Sequence, residues 1–326
     1  SPYLAMHAGD PVHWQDWHPR LLQQARKEGK LLFISSGYFA CHWCHVMRRE
    51  SYNNKEIADL LNQYFIPVKV DRELEPALDE HLIDFVQRTQ GHAGWPLNVF
   101  LTPEGYPLLG MTYVPTEKFR QLLVRLNQLW IEQPEEAAAM AQGGMQALTR
   151  QRQPKTPDSL VNTRQLQADF VSSAMQHANQ MQGGFGQINQ FPMPAQLSLL
   201  LELHASNADS ALAEFLVLTL DQMASKGLRD QLAGGFYRYT VDPGWQTPHY
   251  EKMLYTQALL SELYLRAAVV LKRPDYRRVA VDTLRFVLTS MPAKNGAYIA
   301  SFSAVDGDDV EGCLLYTSPS PRDGET

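Results

Sequence analysis

The hydrophobic pattern changes period once along the chain, and that change limits the folds open to it. Up to about residue 130, short apolar runs alternate with amphipathic helical stripes. Leu31-Leu-Phe-Ile-Ser35 reads as a buried strand that ends in Ser-Ser-Gly, and Cys41 to Glu50 as the start of a helix. Ile57, Leu60, Leu61 and Tyr64 mark a second helix, and Ile66 to Val70 a second strand. A helix carrying Leu78, Leu82, Phe85 and Val86 is expected to end before Gly91. Asn98 to Leu101 follows as a strand. Thr102-Pro-Glu-Gly105 suits a type I turn, so Pro107 to Thr112 can pair back as a hairpin. Phe119, Leu122, Leu123, Leu126 and Trp130 line one more helix. This order predicts an α/β layer over residues 1–145.

Beyond it the texture is different. Residues 146–158, with the polar Gln151-Arg-Gln-Pro-Lys-Thr-Pro-Asp158, read as a linker. Only helical stripes recur after that: Phe170/Ala174/Ala178/Met181, Leu212/Phe215/Leu216/Met223, Leu259/Leu263/Ala267/Val270 and Leu284/Val287/Leu288. Glycine-rich segments, Gly183-Gly-Phe-Gly186 and Gly234-Gly-Phe-Tyr237, separate them and hint at a repeat. An all-α second domain over 159–312 is expected.

The last stretch, Cys313 to Thr326, breaks the patterning. It resembles one reading frame of a transposase-type sequencing adapter, so the protein's own sequence is expected to end near Gly312 and residues 313–326 to carry no function. Of the three cysteines, Cys41 and Cys44 then remain. Composition narrows the function classes. With 44% hydrophobic residues the chain can bury sizeable cores, and 29 basic against 35 acidic residues leave a net charge of −6. That balance argues against a generic nucleic-acid binder. No apolar run approaches the ~18 residues of a membrane span. The chain starts at Ser1, and nothing in it selects between the cytoplasm and an oxidising compartment such as the periplasm.

Chemistry concentrates in Phe39-Ala-Cys-His-Trp-Cys-His45, placed between a strand and a helix start. A cysteine there meets unpaired backbone N–H groups that stabilise its thiolate, and the second cysteine lies one turn on, placed to resolve a mixed disulfide. Cys41 is expected to be the more exposed nucleophile and Cys44 the resolving thiol, with His42 beside them; Trp43 and His45 flank the pair. Other readings stay open. Cys41-x-x-Cys44-His45 also fits c-type haem attachment, a pattern at home in small helical proteins. Zinc would need two further ligands from His42, His45, His81 and His92, with no second cysteine pair at hand. Two inert buried cysteines are the remaining possibility. The reading adopted is redox, with no metal and no cofactor. A proline at the head of a core strand suggests a cis Trp95–Pro96 bond. Asp71, in Val70-Asp-Arg-Glu73, either tunes the site or forms surface ion pairs with its neighbours.

These residues, with Ser1-Pro-Tyr-Leu-Ala-Met-His7, Asp10-Pro-Val-His-Trp14 and Gly94-Trp-Pro-Leu-Asn-Val-Phe-Leu-Thr-Pro103, resemble the spermatogenesis-associated protein 20 family. The resemblance implies a thioredoxin fold in which a cis-proline packs against the Cys-x-x-Cys. Gly183 to Gly186, Phe191-Pro192, Gly234 to Tyr239 and Pro248-His-Tyr-Glu-Lys-Met-Leu-Tyr255 look like that family's second domain, which is similar to the (α/α) toroids of six-hairpin glycosidases and sugar epimerases. Only part of a toroid would be present. Gln190 stands where the family has Lys, Thr256 where it has Asp, and Ser303 to Asp309 follows its acidic stretch loosely. Implied pocket residues are Asp230, Tyr239, His249, Glu251 and Asp306, with Asp242 nearby. Glu251 and Asp306 are the candidate carboxylate pair, and His249 a candidate general base. Phe236, Tyr237, Trp245 and Tyr250 are further aromatics for stacking on a sugar. The expected partner is a protein or small-molecule disulfide or dithiol; the alternative is a carbohydrate ligand.

Overall fold

A computed structural model describes residues 1–152 and 162–304. The chain divides into two compact units, Ser1–Thr156 and Pro157–Thr326. Asp306 and the adapter-like tail lie outside the described residues.

The first unit is a thioredoxin fold. Its elements run α1 (Pro2–Met6), β1 (Gln15–Asp16), α2 (Arg20–Glu28), β2 (Leu31–Gly37), α3 (His42–Met47), a π-helical turn (Arg48–Tyr52), α4 (Lys55–Tyr64), β3 (Phe65–Asp71), α5 (Pro76–Gln90), β4 (Leu97–Leu101), β5 (Pro107–Met111), α6 (Thr116–Glu132) and α7 (Pro134–Arg152). The sheet order is β1-β3-β2-β4-β5. β1 and β2 run parallel to β3, whereas β4 runs antiparallel to β2 and to β5. Every residue of β2, β3 and β4 is buried, because helices cover both faces. Side-chain alternation divides the core. Phe33, Phe65 and Phe100 meet Ile57, Leu61 and Phe119 on one face, and Ile34, Val68 and Val99 meet Leu21, Leu82 and Val86 on the other.

Local chemistry sets the boundaries. Asn54 accepts the Ile57 N–H and starts α4; Gly91, at φ 78°, ends α5 in the left-handed conformation. The Thr102–Gly105 turn closes with the Gly105 N–H on the Thr102 carbonyl at 2.8 Å. Helix α7 runs seven residues into the segment read as a linker, and 153–161 lie outside the described residues.

The second unit packs its helices as successive hairpins. Its helices are α8 (Thr163–His177), α9 (Pro194–Asn207), α10 (Ser210–Ser225), α11 (Leu254–Val270) and α12 (Pro274–Ser290). α9 packs on α10 and α11, and α11 packs on α12. Two-residue strands β6 (Tyr239–Thr240), β7 (Pro248–His249), β8 (Lys252–Met253) and β9 (Ser301–Phe302) brace the loops. Leu212, Phe215 and Leu216 enter the core as their stripe predicts. The α12 stripe is corrected: Leu284 and Leu288 are exposed, and Tyr276, Val279, Ala280 and Phe286 form the buried face.

The two Gly-Gly-Phe segments share one geometry. Gly183 and Gly184 both sit at φ 71°, and Gly234 and Gly235 at 87° and 74°, a region closed to most side chains. A buried glutamine fastens each loop. Gln190 Oε1 accepts the Gly186 N–H at 2.9 Å, and Gln257 Oε1 accepts the Phe236 N–H at 2.7 Å.

Candidate functional site

Cys41 is the N-cap of α3, at the carboxyl end of β2 beyond the buried loop residues Tyr38 and Ala40. Its Sγ accepts the Cys44 N–H at 3.2 Å and is joined to Cys44 Sγ in a disulfide. Both residues are covered, Cys41 at 2% and Cys44 at 0% exposure, so the expected accessible nucleophile is reduced to a small opening. Next to the pair in sequence, Phe39 and Trp43 stand 39% and 45% exposed, and Trp43 packs on Tyr113 with ring centroids 5.0 Å apart. His45 fastens the loop through Nε2 and the Phe39 carbonyl, 2.8 Å apart, and the His42 ring meets Trp43 edge-on.

Trp95–Pro96 is a cis peptide bond at the head of β4. The Trp95 indole donates to Asp79 Oδ1 at 2.9 Å, and the Arg72 guanidinium lies 3.9 Å over the indole. Ser36 Oγ donates to the same Asp79 oxygen. Asp71 is 5% exposed and accepts the Glu73 N–H at 2.9 Å. The expected surface ion pairs are therefore corrected: Asp71 closes the turn after β3, and Arg72 faces Asp79 at 3.7 Å.

Beneath the disulfide lies a polar cluster that sequence reasoning missed. Lys69, wholly enclosed by the rings of Tyr3, Trp14 and Tyr52, donates to Ser35 Oγ at 3.0 Å. Ser35 Oγ in turn meets the Tyr52 hydroxyl, which donates to Asn98 Oδ1 at 2.8 Å. Burial pulls the Lys69 pKa well below that of an ordinary lysine, and nearby Arg48 pulls the same way. Asp10 gathers His7 at 2.6 Å, Trp14 at 3.0 Å and Arg48 at 2.8 Å. Burial alone would raise the Asp10 pKa, but the hydrogen bonds from His7 and Arg48 hold it below the usual carboxylate value. Burial and Lys69 push the His7 pKa down to about 3. The one available signal was Lys69 itself, a charge between the valines Val68 and Val70 of β3.

Gly37 ends β2 directly opposite Asp71. A Cβ at this position would stand 2.7 Å from Cys44 Sγ and closer still to the Tyr3 hydroxyl. Gly37→Ala is therefore expected to lower the first unit's stability by about 1–3 kcal/mol through overpacking. Thermal unfolding of the oxidised protein checks this, and an unchanged midpoint counts against the close approach.

The thioredoxin–DsbH family model, described as a protein of unknown function (DUF255), matches residues 1–149. Human spermatogenesis-associated protein 20 is 38% identical over 327 residues, covering 94% of this chain and 40% of the relative. The rat protein of that name is 36% identical over 325 residues with the same coverage. Over 94% of its length the chain is similar to these spermatogenesis-associated protein 20 relatives. It spans 40% of the length of these relatives. Among solved structures, a DsbH oxidoreductase is 18% identical (TM-score 0.30) and covers 38% of this chain and 89% of its own. Cellobiose 2-epimerase from Spirochaeta thermophila DSM 6192 is 19% identical (TM-score 0.37), covering 43% of this chain and 40% of its own.

The second unit brings together some of the implied pocket residues. His249 Nε2 lies 3.1 Å from Glu251 Oε1, Arg238 donates to Glu251 Oε2 at 3.0 Å, and the Tyr239 ring packs between His249 and Phe191. Asp230 is engaged elsewhere. It takes Lys252 Nζ at 2.7 Å, the Tyr237 hydroxyl at 3.0 Å and two backbone N–H groups, and burial would raise its pKa were these donors not holding it low. Asp242 accepts three N–H groups of its own loop. Phe236 and Trp245 are corrected from stacking candidates to core, both being fully buried, with the Trp245 indole on the Gln182 carbonyl. Gln190, in the place of the family's Lys, serves as the loop fastener above, and Thr256 is buried in α11. Among the described residues no group of three or more His, Cys, Asp or Glu side chains could hold a metal ion, and no helix is long and apolar enough to cross a membrane.

Proposed function

We propose that the first unit is a thiol–disulfide oxidoreductase in which Cys41 attacks and Cys44 resolves. One observation carries the reading: the two sulfurs are bonded at the carboxyl end of β2, with a backbone N–H already donating to Cys41 Sγ. That N–H stabilises a Cys41 thiolate more than a Cys44 thiolate and so designates the attacking sulfur. Exposed Phe39 and Trp43, the latter packed on half-buried Tyr113, suit a protein disulfide flanked by apolar side chains. Equilibration in graded dithiothreitol or glutathione buffers tests this. The pair is expected to titrate reversibly, with a midpoint between about −270 mV and −120 mV. A pair that stays oxidised below about −300 mV behaves as a structural disulfide and removes the assignment.

A second reading rests on His249, Glu251 and Tyr239. A buried imidazole–carboxylate pair beside a stacked, half-buried aromatic suits a carbohydrate ring. Titration with cellobiose by calorimetry is expected to show saturable binding that Glu251→Gln weakens at least about tenfold and Cys41→Ser leaves unchanged. Heat that never saturates ends this reading.

A further inference from the structure

The two sulfurs of the pair are unequally served by their surroundings. Cys41 Sγ has the Cys44 N–H, whereas among the described residues no hydrogen bond reaches Cys44 Sγ, which is out of contact with solvent. Next to it stands a hydroxyl with nothing to do. Tyr3, on α1, is fully buried, and its Oη has no hydrogen-bond partner. The position a Cβ would take on Gly37 is 2.7 Å from Cys44 Sγ and nearer still to Tyr3 Oη, so both atoms close on the same point of the β2 backbone. Buried hydroxyls nearly always find a partner, and an exception in a folded protein calls for a reason. A neutral disulfide sulfur is a poor acceptor; a thiolate is a strong one.

We propose that Tyr3 is the hydrogen-bond donor that stabilises Cys44 as a thiolate when the disulfide opens. This rests on the oxidoreductase reading and adds a residue to it. An incoming thiolate forms a bond to Cys41 Sγ, the Cys41–Cys44 bond breaks, and Cys44 Sγ leaves with the electron pair. The incoming sulfur is oxidised to a mixed disulfide while Cys44 is reduced. Tyr3 Oη donates to the new charge and keeps its own proton; Cys44 later takes a proton from solvent. Resolution is the reverse: the Cys44 thiolate attacks Cys41 Sγ, and the substrate sulfur departs as a thiolate.

The surroundings fit a donor that does not ionise. Burial, with Tyr52, Asp71, Asp10 and Asp79 around it, drives the Tyr3 phenol well above its ordinary pKa. His7 packs edge-on to the Tyr3 ring at 5.0 Å, and Lys69 Nζ lies 5.2 Å from it. His42 and His45 flank Cys44 on its own helix. Among the described residues, Tyr3 alone has a buried, unpartnered hydroxyl there.

The reduced full chain is mixed with 5,5′-dithiobis(2-nitrobenzoate) in a stopped-flow instrument at a series of pH values. The first equivalent of thionitrobenzoate reports attack by Cys41; the second reports closure by Cys44. In Tyr3→Phe, the closure midpoint is expected to rise by about one pH unit, so closure at neutral pH slows about tenfold. The first phase is expected to keep its profile. Above both closure midpoints, the variant's disulfide becomes about tenfold harder to reduce, or about 30 mV more negative. The oxidised variant is expected to melt at or above the parent temperature, because it loses only an unsatisfied hydroxyl. A fluorotyrosine at position 3, a stronger donor, moves the closure midpoint the other way. Uniform slowing at every pH with no shift in midpoint would mark a packing role and overturn the proposal, and so would two unchanged phases. In either case the oxidoreductase reading stands. A parent protein with no closing phase overturns both.

Discussion

Cys41→Ser is expected to lose dithiothreitol-driven reduction of a protein disulfide such as insulin's by at least about a thousandfold. Serine at the α3 N-cap still accepts the Cys44 N–H, so the fold is kept while the nucleophile is gone. Cys44→Ser should lose turnover as well but for a different reason. Cys41 still attacks, nothing resolves the product, and a mixed disulfide accumulates that is visible on a non-reducing gel and released by reductant. The contrast between the two variants is the informative result. If both retain the parent rate, the reaction does not run through this pair. Trapping by Cys41→Ser instead of Cys44→Ser would reverse the assignment of the attacking sulfur.

Asp10→Ala is expected to lower the stability of the first unit by about 3 kcal/mol. The carboxylate is fully enclosed and serves His7, Trp14 and Arg48, so its removal leaves three buried or half-buried donors without their acceptor. Urea unfolding followed by tryptophan fluorescence measures this, because of the six tryptophans only Trp245 lies outside the unit. The pH dependence of the parent follows from the same cluster. His7 stays neutral in the folded protein down to about pH 3, whereas the unfolded chain takes up that proton near pH 6.5. Lys69, held below its ordinary value of 10.5, already costs stability as the pH falls from there, whereas Asp10 adds its share only as the pH drops through its ordinary value of 3.8. Stability therefore falls as the pH is lowered through 6.5 towards 3, by up to about 1.4 kcal/mol per unit from His7 alone. His7→Gln should flatten that slope. A parent stability that is level, or that rises, between pH 6.5 and 4 contradicts the buried neutral imidazole.

Much of the fold was legible in advance. Strands β2, β3 and β4 are apolar runs bounded by turn residues, and α5 and α6 carry regular stripes, so local pattern and burial agree. α1, α2 and β1 were not read. α1 has five residues and β1 two, too few to show a period, and α2 buries only Leu21 and Ala25. The α12 stripe failed because the open face of the helix also carries apolar residues at helical spacing, Val281, Leu284 and Leu288, beside the Tyr276, Val279, Ala280 and Phe286 that pack inward.

The amino-acid order by itself determined the two-unit architecture, the strand–cysteine–helix placement of the Cys-x-x-Cys motif and the cis Trp95–Pro96 bond, all of which depend on contacts short in sequence. Only the tertiary structure decided the rest. It covered Cys41, buried Asp71, turned Phe236 and Trp245 into core, and drew Tyr3, His7, Asp10, Ser35, Lys69 and Asn98 together beneath the disulfide. Those residues lie up to 95 positions apart (Tyr3 to Asn98). No local period encodes such a meeting, because it is set by which helix closes over the end of the sheet and what that closure excludes from water.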